Sequence, residues 1–421
     1  MPTRWARVQY HIDAVCALLM VVAMDARVLA DPVDPSASAA TPPDGDAPAP
    51  PKRLGLCLCG GGATGAAYEI GVLAALEANV PGFRVGSFEV IVGTSAGSLI
   101  AALLASGVSV TRLYHSVTSG DEFFHIKRSD IYQLDLHETA RKMERILRAG
   151  ARVFRRMAKD REAASEAAWS DFTAALPDGL FTLHGFAHWV DRFQVRHGLP
   201  RHFDQVGPQL LVPVNNLDTG HREVFGRGYR LDASIAEAVA ASCAIPLFFS
   251  PVRIHGGDYI DGGTGRVAHV DLAQRAGATH VLVVNPIVPW NLERRLRELP
   301  PDDAEIGPQR LTRIRSRGML SIWNQSFRMA NAVKLHLGLR RFKADRPDLA
   351  LALIEPDERD ETLFITNPMD TGSRARIARH AYDTTVQRLR EGDDAVRAVC
   401  LGLPGAHRLD GLRRQRVVAG A

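Results

Sequence analysis

The chain has 421 residues, of which 46% are hydrophobic and 23% are charged, a composition typical of a folded globular protein with a substantial core. Its formal net charge of +4 is compatible with an anionic membrane surface but too small to indicate a nucleic-acid-binding protein. The five cysteines are odd in number and irregularly spaced, and Cys57 and Cys59 lie in an apolar run, so the sequence predicts buried cysteines rather than a disulfide framework or a metal site.

Residues 1–30 have the features of a signal peptide. Arg4 and Arg7 precede an apolar run at 14–24 that is too short to span a bilayer. An over-long N terminus from a wrong start codon explains the same segment, so export and a cytoplasmic location both stay open. The Pro-, Ala- and Asp-rich stretch 31–52 lacks large apolar residues and is expected to be a disordered linker.

The first predicted strand leads into a glycine-rich loop. The apolar run from Leu54 to Cys59 is typical of a buried strand, and Gly60-Gly61-Gly62-Ala63-Thr64-Gly65 follows it. Residues 66–80 then have apolar side chains at helical spacing. Such a loop places bare backbone N–H groups at a helix N terminus, where they can bind an anion.

Three functions compete for this loop. A phosphate loop would need Lys and then Ser or Thr after Gly65, where the chain has two alanines. A dinucleotide-binding fingerprint, which would make the protein an oxidoreductase, is matched by Gly60, Gly62 and Gly65, with Glu89 loosely placed as its acidic partner. The third function is an oxyanion hole, which depends on a nucleophile elsewhere in the chain.

A G-x-S-x-G pentapeptide follows the second predicted strand. The apolar run 88–92 meets Gly93-Thr94-Ser95-Ala96-Gly97, and small residues at helical spacing come next. In a tight strand–turn–helix the residues two before and two after the serine must be small, which Gly93 and Gly97 satisfy. The serine at the apex presents its hydroxyl, so Ser95 is the candidate nucleophile.

Ser95 and the glycine loop fit one site. Attack by a serine on an ester creates an oxyanion, which each backbone N–H donor stabilises by roughly 3–4 kcal/mol. The candidate donors are amides of the glycine-rich loop and, at the helix start after the elbow, the Ala96 N–H. We expect strands 54–59 and 88–92 to be adjacent and parallel, so that both loops emerge at one edge of the sheet.

A helical pattern from 98 to 119 is followed by a polar helical cover, residues 121–175. Within this cover, 141–161 has the pattern of a basic amphipathic helix. It fits a lid or a membrane-surface contact, but a solvated helix packed through its apolar stripe is the favoured interpretation.

The later part of the chain predicts further strands and a candidate base. Strands are expected at 210–214, 222–225, 279–285 and 349–354, and helices at 234–242 and 374–389. Residues 252–254 and 258–260 look like a hairpin that delivers Asp261 into Gly262-Gly263. An aspartate released from a strand into paired glycines can face a neighbouring site, although an ordinary turn aspartate has the same sequence. Residues 291–391 are expected to form a largely helical extension, and 392–421 a basic mobile tail.

Three motifs in this order resemble the patatin-like phospholipases. They are the loop 60–65, the elbow 93–97, and Asp261-Gly262-Gly263 after the run 240–252. The likeness covers about residues 53–290, the expected catalytic domain. Each motif alone is common, and their combination in this order is specific.

The resemblance implies an α/β protein with a three-layer αβα fold and a mainly parallel central sheet. It also implies a serine lipid acyl hydrolase with a Ser-Asp dyad, in which Ser95 is the nucleophile, Asp261 the general base and the Gly60–Gly62 amides the oxyanion hole. No metal and no cofactor are expected. The expected partners are a lipid substrate and a membrane surface touched peripherally, but no nucleic acid. A triacylglycerol lipase or general carboxylesterase with the same dyad, and a non-catalytic lipid-binding protein of the same fold, are the alternatives.

Two features of the sequence bear on whether this chain follows the family pattern in full. Thr64 stands where the family usually has Arg or Lys, which puts the preference for anionic headgroups in doubt. His269, His280 and His380 are candidates for the third member of a conventional Ser-Asp-His triad, but their sequence settings favour surface or core roles. We therefore expect the dyad.

Overall fold

The computed structural model describes residues 52–131, 178–297, 313–365, 372–403 and 407–408, together with Glu144 and Arg148. The described residues belong to one compact unit that begins at Lys52. The predicted signal peptide, nearly all of the predicted linker, the basic helix at 141–161 and most of the helical cover lie outside the described residues. No helix within the described ranges is long and apolar enough to cross a bilayer.

The elements alternate between short buried strands and helices, as the hydrophobic runs predict. The strands are β1 (Leu54–Leu58), β2 (Val90–Gly93), β3 (Gly179–Phe181), β4 (Gln209–Asn216), β5 (Arg222–Gly226), β6 (Leu247–Phe249), β7 (Val252–Ile254), β8 (Gly257–Asp261), β9 (His280–Val284), β10 (Ala350–Ile354) and β11 (His407–Arg408). The helices are α1 (Gly62–Asn79), α2 (Ala96–Ala105), α3 (Val110–Ser119), α4 (Arg128–Ile131), α5 (His184–Arg196), α6 (Ile235–Ser242), α7 (Val270–Arg275), α8 (Leu292–Arg297), α9 (Met319–Asp345), α10 (Glu361–Ile365), α11 (Arg374–Arg390) and α12 (Asp394–Leu401).

A mainly parallel sheet forms the centre. Its strand order is β11-β10-β9-β1-β2-β4-β8-β7, with β5 paired to the other edge of β4, while β3 and β6 form a separate pair. The six strands from β11 to β4 are parallel to their neighbours, and β5, β7 and β8 pair antiparallel. The predicted adjacency of β1 and β2 is confirmed. Both functional loops therefore emerge at the carboxyl ends of neighbouring strands.

Both faces of the sheet are covered, which gives three layers. Side chains of β1 alternate, so that Leu56 and Leu58 join the core on one face and Cys57 and Cys59 the core on the other. The first face is covered by α1, α2, α6 and α11, and the second by α7 and the C-terminal half of α9. The expectation that both cysteines are buried is confirmed.

The C-terminal part of the chain is integrated into this architecture. Strand β10, whose five residues are all buried, pairs with β9, and α11 packs along α1. The predicted mobile tail from Gly392 is wrong for residues 394–401, which form α12 with Val399 and Cys400 buried. The Asp393 side chain caps this helix by accepting the Val396 N–H at 3.1 Å, a signal that was present in the sequence.

The contact between α1 and α11 depends on Gly71. A β-carbon there would lie 2.2 Å from the Ala378 carbonyl oxygen. Alanine is favoured over glycine in a helix by about 1 kcal/mol, but this clash is with backbone and cannot be relieved by a rotamer change. We expect Gly71→Ala to destabilise the protein by at least about 1 kcal/mol, measured by urea unfolding.

The matched control is Gly338→Ala in α9, where an added β-carbon would meet nothing within 4 Å. This variant should be neutral or more stable by up to about 1 kcal/mol. Equal effects at the two glycines would contradict the packing described for α1 and α11.

Candidate active site

The turn between β2 and α2 holds Ser95 in a strained conformation. Its φ of 54° and ψ of −136° are rarely adopted by residues with a side chain. A β-carbon on Gly93 would lie 2.5 Å from Ala101 Cβ, and one on Gly97 would lie 2.9 Å from the Leu58 carbonyl oxygen. Both positions therefore require glycine, as expected for this type of elbow.

Two further serines hold the elbow in place. The Ser95 N–H donates to Ser242 Oγ at 3.0 Å, and the Ser242 hydroxyl donates to the Pro213 carbonyl at 2.9 Å. On the other side, the Ser98 hydroxyl donates to the Ser95 carbonyl at 2.6 Å. Ser242 ties the elbow to β4 through α6, and nothing local in the sequence indicated this role.

Strand register brings Asp261 to Ser95. Strand β4 pairs with β2 at Leu211 and Val92, and three residues further on, along the same edge, Val214 pairs with Asp261. Asp261 thus continues the line of β2 directly beyond its end. The Asp261 carboxylate accepts a hydrogen bond from the Gly263 N–H at 2.7 Å, and the Ser95 side chain is close enough to lower the pKa of this carboxyl.

The backbone of Asp261 is fixed from both sides. Its N–H donates to the Ala244 carbonyl at 3.0 Å, and the Asn215 side-chain amide donates to its carbonyl at 2.7 Å. A β-carbon on Gly262 would lie 2.3 Å from the Pro213 carbonyl oxygen, so the paired glycines let this turn pass close to β4.

Burial raises the pKa of Asp261 from its usual 3.8 to about 6, and the hydrogen bonds from Ser95 and Gly263 oppose this rise. The side chain is only 3% exposed. A carboxylate with this pKa is a stronger base than an ordinary aspartate and is still largely ionised at neutral pH.

The glycine loop packs directly against the elbow. Gly60, Gly61 and Gly62 have consecutive positive φ values of 82°, 106° and 70°. A β-carbon on Gly60 would lie 2.7 Å from Ser95 Cβ. Glycine is therefore required both by the backbone conformation and by the contact with the serine.

One predicted oxyanion-hole donor is wrong. The Gly60 N–H donates to Glu69 Oε1 at 2.8 Å and is therefore already engaged. Gly62 and Ala96 are the first residues of α1 and α2, where N–H groups have no intrahelical acceptor and the helix dipole is positive. Gly61, Gly62 and Ala96 remain the candidate donors.

Glu69 is a buried carboxyl that sequence reasoning missed. It is 0% exposed, and its Oε2 has no hydrogen-bond partner among the described residues. Burial raises the pKa of Glu69 well above its usual value, and hydrogen bonds from the Gly60 and Cys59 backbone oppose this rise. A glutamate inside the apolar run AAYEIGVLAAL was the available signal.

Thr64 is enclosed rather than directed at the site opening. It is 0% exposed, and its hydroxyl lies 3.4 Å from the Gly61 carbonyl, to which it donates. A threonine here thus contributes to the loop conformation.

The dinucleotide interpretation is contradicted by the placement of Glu89. This residue precedes β2, and its N–H donates to the Leu54 carbonyl at the amino end of β1. The glycine loop lies at the carboxyl end of β1, so Glu89 and the loop occupy opposite edges of the sheet. A ribose-binding acid would have to lie at the same edge as the loop.

The side-chain contacts of the three candidate histidines are with residues other than Ser95 and Asp261. His269 Nδ1 lies 3.2 Å from Arg222 Nη1, and burial lowers its pKa to about 3. His280 begins β9, at the opposite edge of the sheet, and contacts Thr279 Oγ1 at 2.9 Å. His380 Nε2 lies 2.6 Å from Asp360 Oδ2.

An apolar cavity opens beside Ser95. The elbow residues Ser95 and Ala96 and the glycine-loop residue Gly62 line one part of it. Its apolar walls include Ile70, Leu99, Phe124, Leu183, Phe186 and Phe249, and Arg374 also lines it. Most of these walls come from segments that the sequence analysis did not connect with the site. Within the described residues, no cluster of three or more His, Cys, Asp or Glu side chains is arranged to hold a metal ion.

Comparisons with known proteins agree with this architecture. Residues 56–273, more than half of the chain, match the family described as patatin-like phospholipase. The chain therefore belongs to the patatin-like phospholipase family.

A curated relative, the probable lipid hydrolase 463L of Invertebrate iridescent virus 6, is 21% identical over 229 residues. That alignment covers 53% of this chain and 64% of the viral protein, less than two thirds of its length. Among solved structures, VipD from Legionella pneumophila is 17% identical, with a TM-score of 0.34 over 81% of this chain and 67% of VipD. The ExoU–SpcU complex of Pseudomonas aeruginosa gives 16% identity and a TM-score of 0.29 over 81% of this chain and 52% of that one.

The raised pKa of Asp261 predicts an unusual pH dependence of stability. The Asp261 carboxyl binds a proton more tightly in the folded protein than in the unfolded chain. Its contribution to the free energy of unfolding is therefore fully present below about pH 4 and is lost as the pH rises through about 6. We expect Asp261→Asn to gain stability relative to wild type between pH 4 and pH 7.5, by up to about 3 kcal/mol. Urea unfolding at both pH values measures this difference, with the exposed Asp204→Asn as control. A gain that shrinks as pH rises would show that the carboxyl is not destabilised by burial.

Proposed function

We propose that the protein is a serine lipid acyl hydrolase that cleaves fatty-acyl esters through Ser95 and Asp261. The observation that carries this proposal is the juxtaposition of the strained Ser95, which lines an apolar cavity, with the buried Asp261 carboxylate, whose pKa the Ser95 side chain lowers. Family membership and the viral lipid hydrolase relative support the same class of reaction.

In the first half-reaction, Ser95 Oγ attacks the ester carbonyl carbon and its proton passes to Asp261. The carbonyl oxygen becomes an oxyanion, for which Gly61, Gly62 and Ala96 are the proposed N–H donors. Asp261 then returns the proton to the departing alcohol as the carbon–oxygen bond breaks. An acyl-enzyme on Ser95 remains.

In the second half-reaction, Asp261 removes a proton from a water molecule, which attacks the acyl carbon. The tetrahedral intermediate collapses, the proton returns to Ser95 Oγ, and the fatty acid leaves. The raised pKa of Asp261 supports its role in both steps, because a base near neutrality accepts the serine proton more readily than an ordinary aspartate does.

The cavity supports a long acyl chain as the bound part of the substrate. Aromatic and aliphatic side chains form its walls, including Phe124, Phe186 and Phe249. Burying a methylene group in such a site contributes about 0.8 kcal/mol. Chain binding can therefore position the ester at Ser95 without contacts to the headgroup.

The direct test is hydrolysis of a panel of phospholipid, lysophospholipid and triacylglycerol substrates by the purified protein. Ser95→Ala and Asp261→Asn should lower kcat by at least about a thousandfold, because each removes one half of the dyad. His269→Asn, His280→Asn and His380→Asn should each keep activity near that of wild type. Activity should also survive a chelator.

Loss of activity in a histidine variant that stays folded would replace the dyad by a triad. A fluorophosphonate probe separates the enzyme from a lipid-binding protein of the same fold, since an inert binding protein would not be labelled at Ser95.

Glu69 is expected to position the oxyanion hole through the Gly60 amide. Glu69→Gln keeps an oxygen acceptor of the same size and should retain most activity, whereas Glu69→Leu leaves the Gly60 N–H unpaired. We expect Glu69→Leu to lower kcat by about tenfold or more with little change in KM. A higher KM at unchanged kcat would instead assign Glu69 to substrate binding.

A further inference from the structure

The solvent-facing side of helix α9 is apolar. We call the exposed large apolar residues of this helix its outer stripe. They are separated by three, four or seven positions, so they lie on one face of the helix. The members are Met319 (80% exposed), Ile322 (47%), Met329 (54%), Val333 (51%) and Leu337 (55%). The opposite face is buried through Asn331, Ala332, Leu335 and Leu339. A row of large apolar side chains is unusual on the water-exposed face of a helix, which indicates that something covers the outer stripe.

The charges along the outer stripe are predominantly positive. Residues 313–344 contain eight Lys or Arg residues and no Asp or Glu, and one exposed carboxylate, Asp345, ends the helix. Arg313 and Arg315 precede the stripe, and Arg340 and Arg341 follow it, all four exposed. The stripe from 319 to 337 is about 27 Å long at 1.5 Å per residue. An extended apolar face with cations at both ends is typical of helices that lie in the headgroup region of a bilayer.

The same helix contacts two segments next to the site, strand β6 and the turn after Asp261. The Trp323 ring lies 5.2 Å from the Phe248 ring, and the next residue, Phe249, lines the cavity beside Ser95. Lys334 Nζ donates to the Thr264 carbonyl at 2.9 Å, in the turn that follows Asp261. Leu247, 61% exposed, adds a further apolar side chain next to Phe248.

We propose that the outer stripe and its flanking arginines bind the surface of an anionic phospholipid bilayer. The apolar side chains would enter the boundary between headgroups and acyl chains, while the arginines contact anionic headgroups. This proposal is independent of the chemistry at Ser95, since it concerns binding alone.

Charge argues against a second copy of this chain as the occupant. Two outer stripes packed together in either direction would bring the cationic flanks of one helix against those of the other. Against the eight cations of 313–344, helix α9 offers a single carboxylate, Asp345. An anionic bilayer supplies the complementary charge.

The experiment measures vesicle binding by the full chain in a Ser95→Ala background, so that no hydrolysis alters the vesicles. Flotation with neutral phosphatidylcholine vesicles is compared with flotation with vesicles containing phosphatidylglycerol. The parent protein should bind the anionic vesicles at least about tenfold more tightly, and salt should weaken this binding.

Two variants test the surface. Met329→Gln/Val333→Thr/Leu337→Gln, which changes only exposed side chains, should weaken binding to anionic vesicles by about tenfold or more. Arg340→Gln/Arg341→Gln should reduce the preference for anionic over neutral vesicles. The matched control, Leu217→Gln/Leu231→Gln, alters two leucines that are 52% and 51% exposed outside α9 and should bind as the parent does.

Equal vesicle binding by the parent and both α9 variants would overturn the proposal, as would absence of binding to anionic vesicles. Light scattering provides the remaining outcome. If the triple variant turns a dimer into a monomer while vesicle binding is unchanged, the outer stripe is an interface between copies of the chain and the proposal is wrong. Because the parent lacks the Ser95 hydroxyl, none of these results depends on the proposed hydrolase activity.

Discussion

The close approach of the glycine loop to the serine elbow is the constraint on which the site depends. Gly60 lies so near Ser95 that a β-carbon would come within 2.7 Å of the serine's own β-carbon. This distance is possible because β1 and β2 are adjacent and parallel and because the loop after β1 has no side chain at Gly60. Two helix N termini, at Gly62 and Ala96, are thereby brought to the same serine. The resulting positive backbone environment requires no cationic side chain, which is consistent with a threonine at position 64.

Strand register then determines which acid meets the serine. Strands β2 and β8 pair with the same edge of β4, one after the other. The β7–β8 hairpin therefore ends where β2 ends, and Asp261, the last residue of β8, lies next to Ser95. Burial at that point raises the pKa of the carboxyl to about 6, while the Gly263 N–H keeps it oriented. A protein core normally disfavours such a group. Here the cost of burial is what makes an aspartate a useful base without help from an imidazole.

The strand–loop–helix units could be predicted from the sequence because each depends on neighbours in the chain: the apolar run 54–59, the glycines around Ser95 and the hairpin before Asp261. The roles of Ser242, Glu69 and the Gly60 amide could not, because they depend on contacts between elements far apart or on the direction of one N–H group. The prediction of a mobile tail is wrong at 394–401 because this short helix depends on Asp393 as a cap and on packing against β10, while the basic residues that follow dominate the composition of the segment. The composition of α9 likewise does not show which of its apolar residues are buried and which form the exposed outer stripe.

The central claim is that Ser95, Asp261 and the helix N termini form one acyl-transfer site without histidine. A crystal structure of the protein after reaction with a long-chain alkyl fluorophosphonate tests it most directly. The account predicts phosphorus bonded to Ser95 Oγ, a phosphoryl oxygen within about 3 Å of backbone nitrogens among Gly61, Gly62 and Ala96, and the alkyl chain between Phe124 and Phe249. An adduct on another residue, or a phosphoryl oxygen bound by a histidine or by the Gly60 amide, would contradict it.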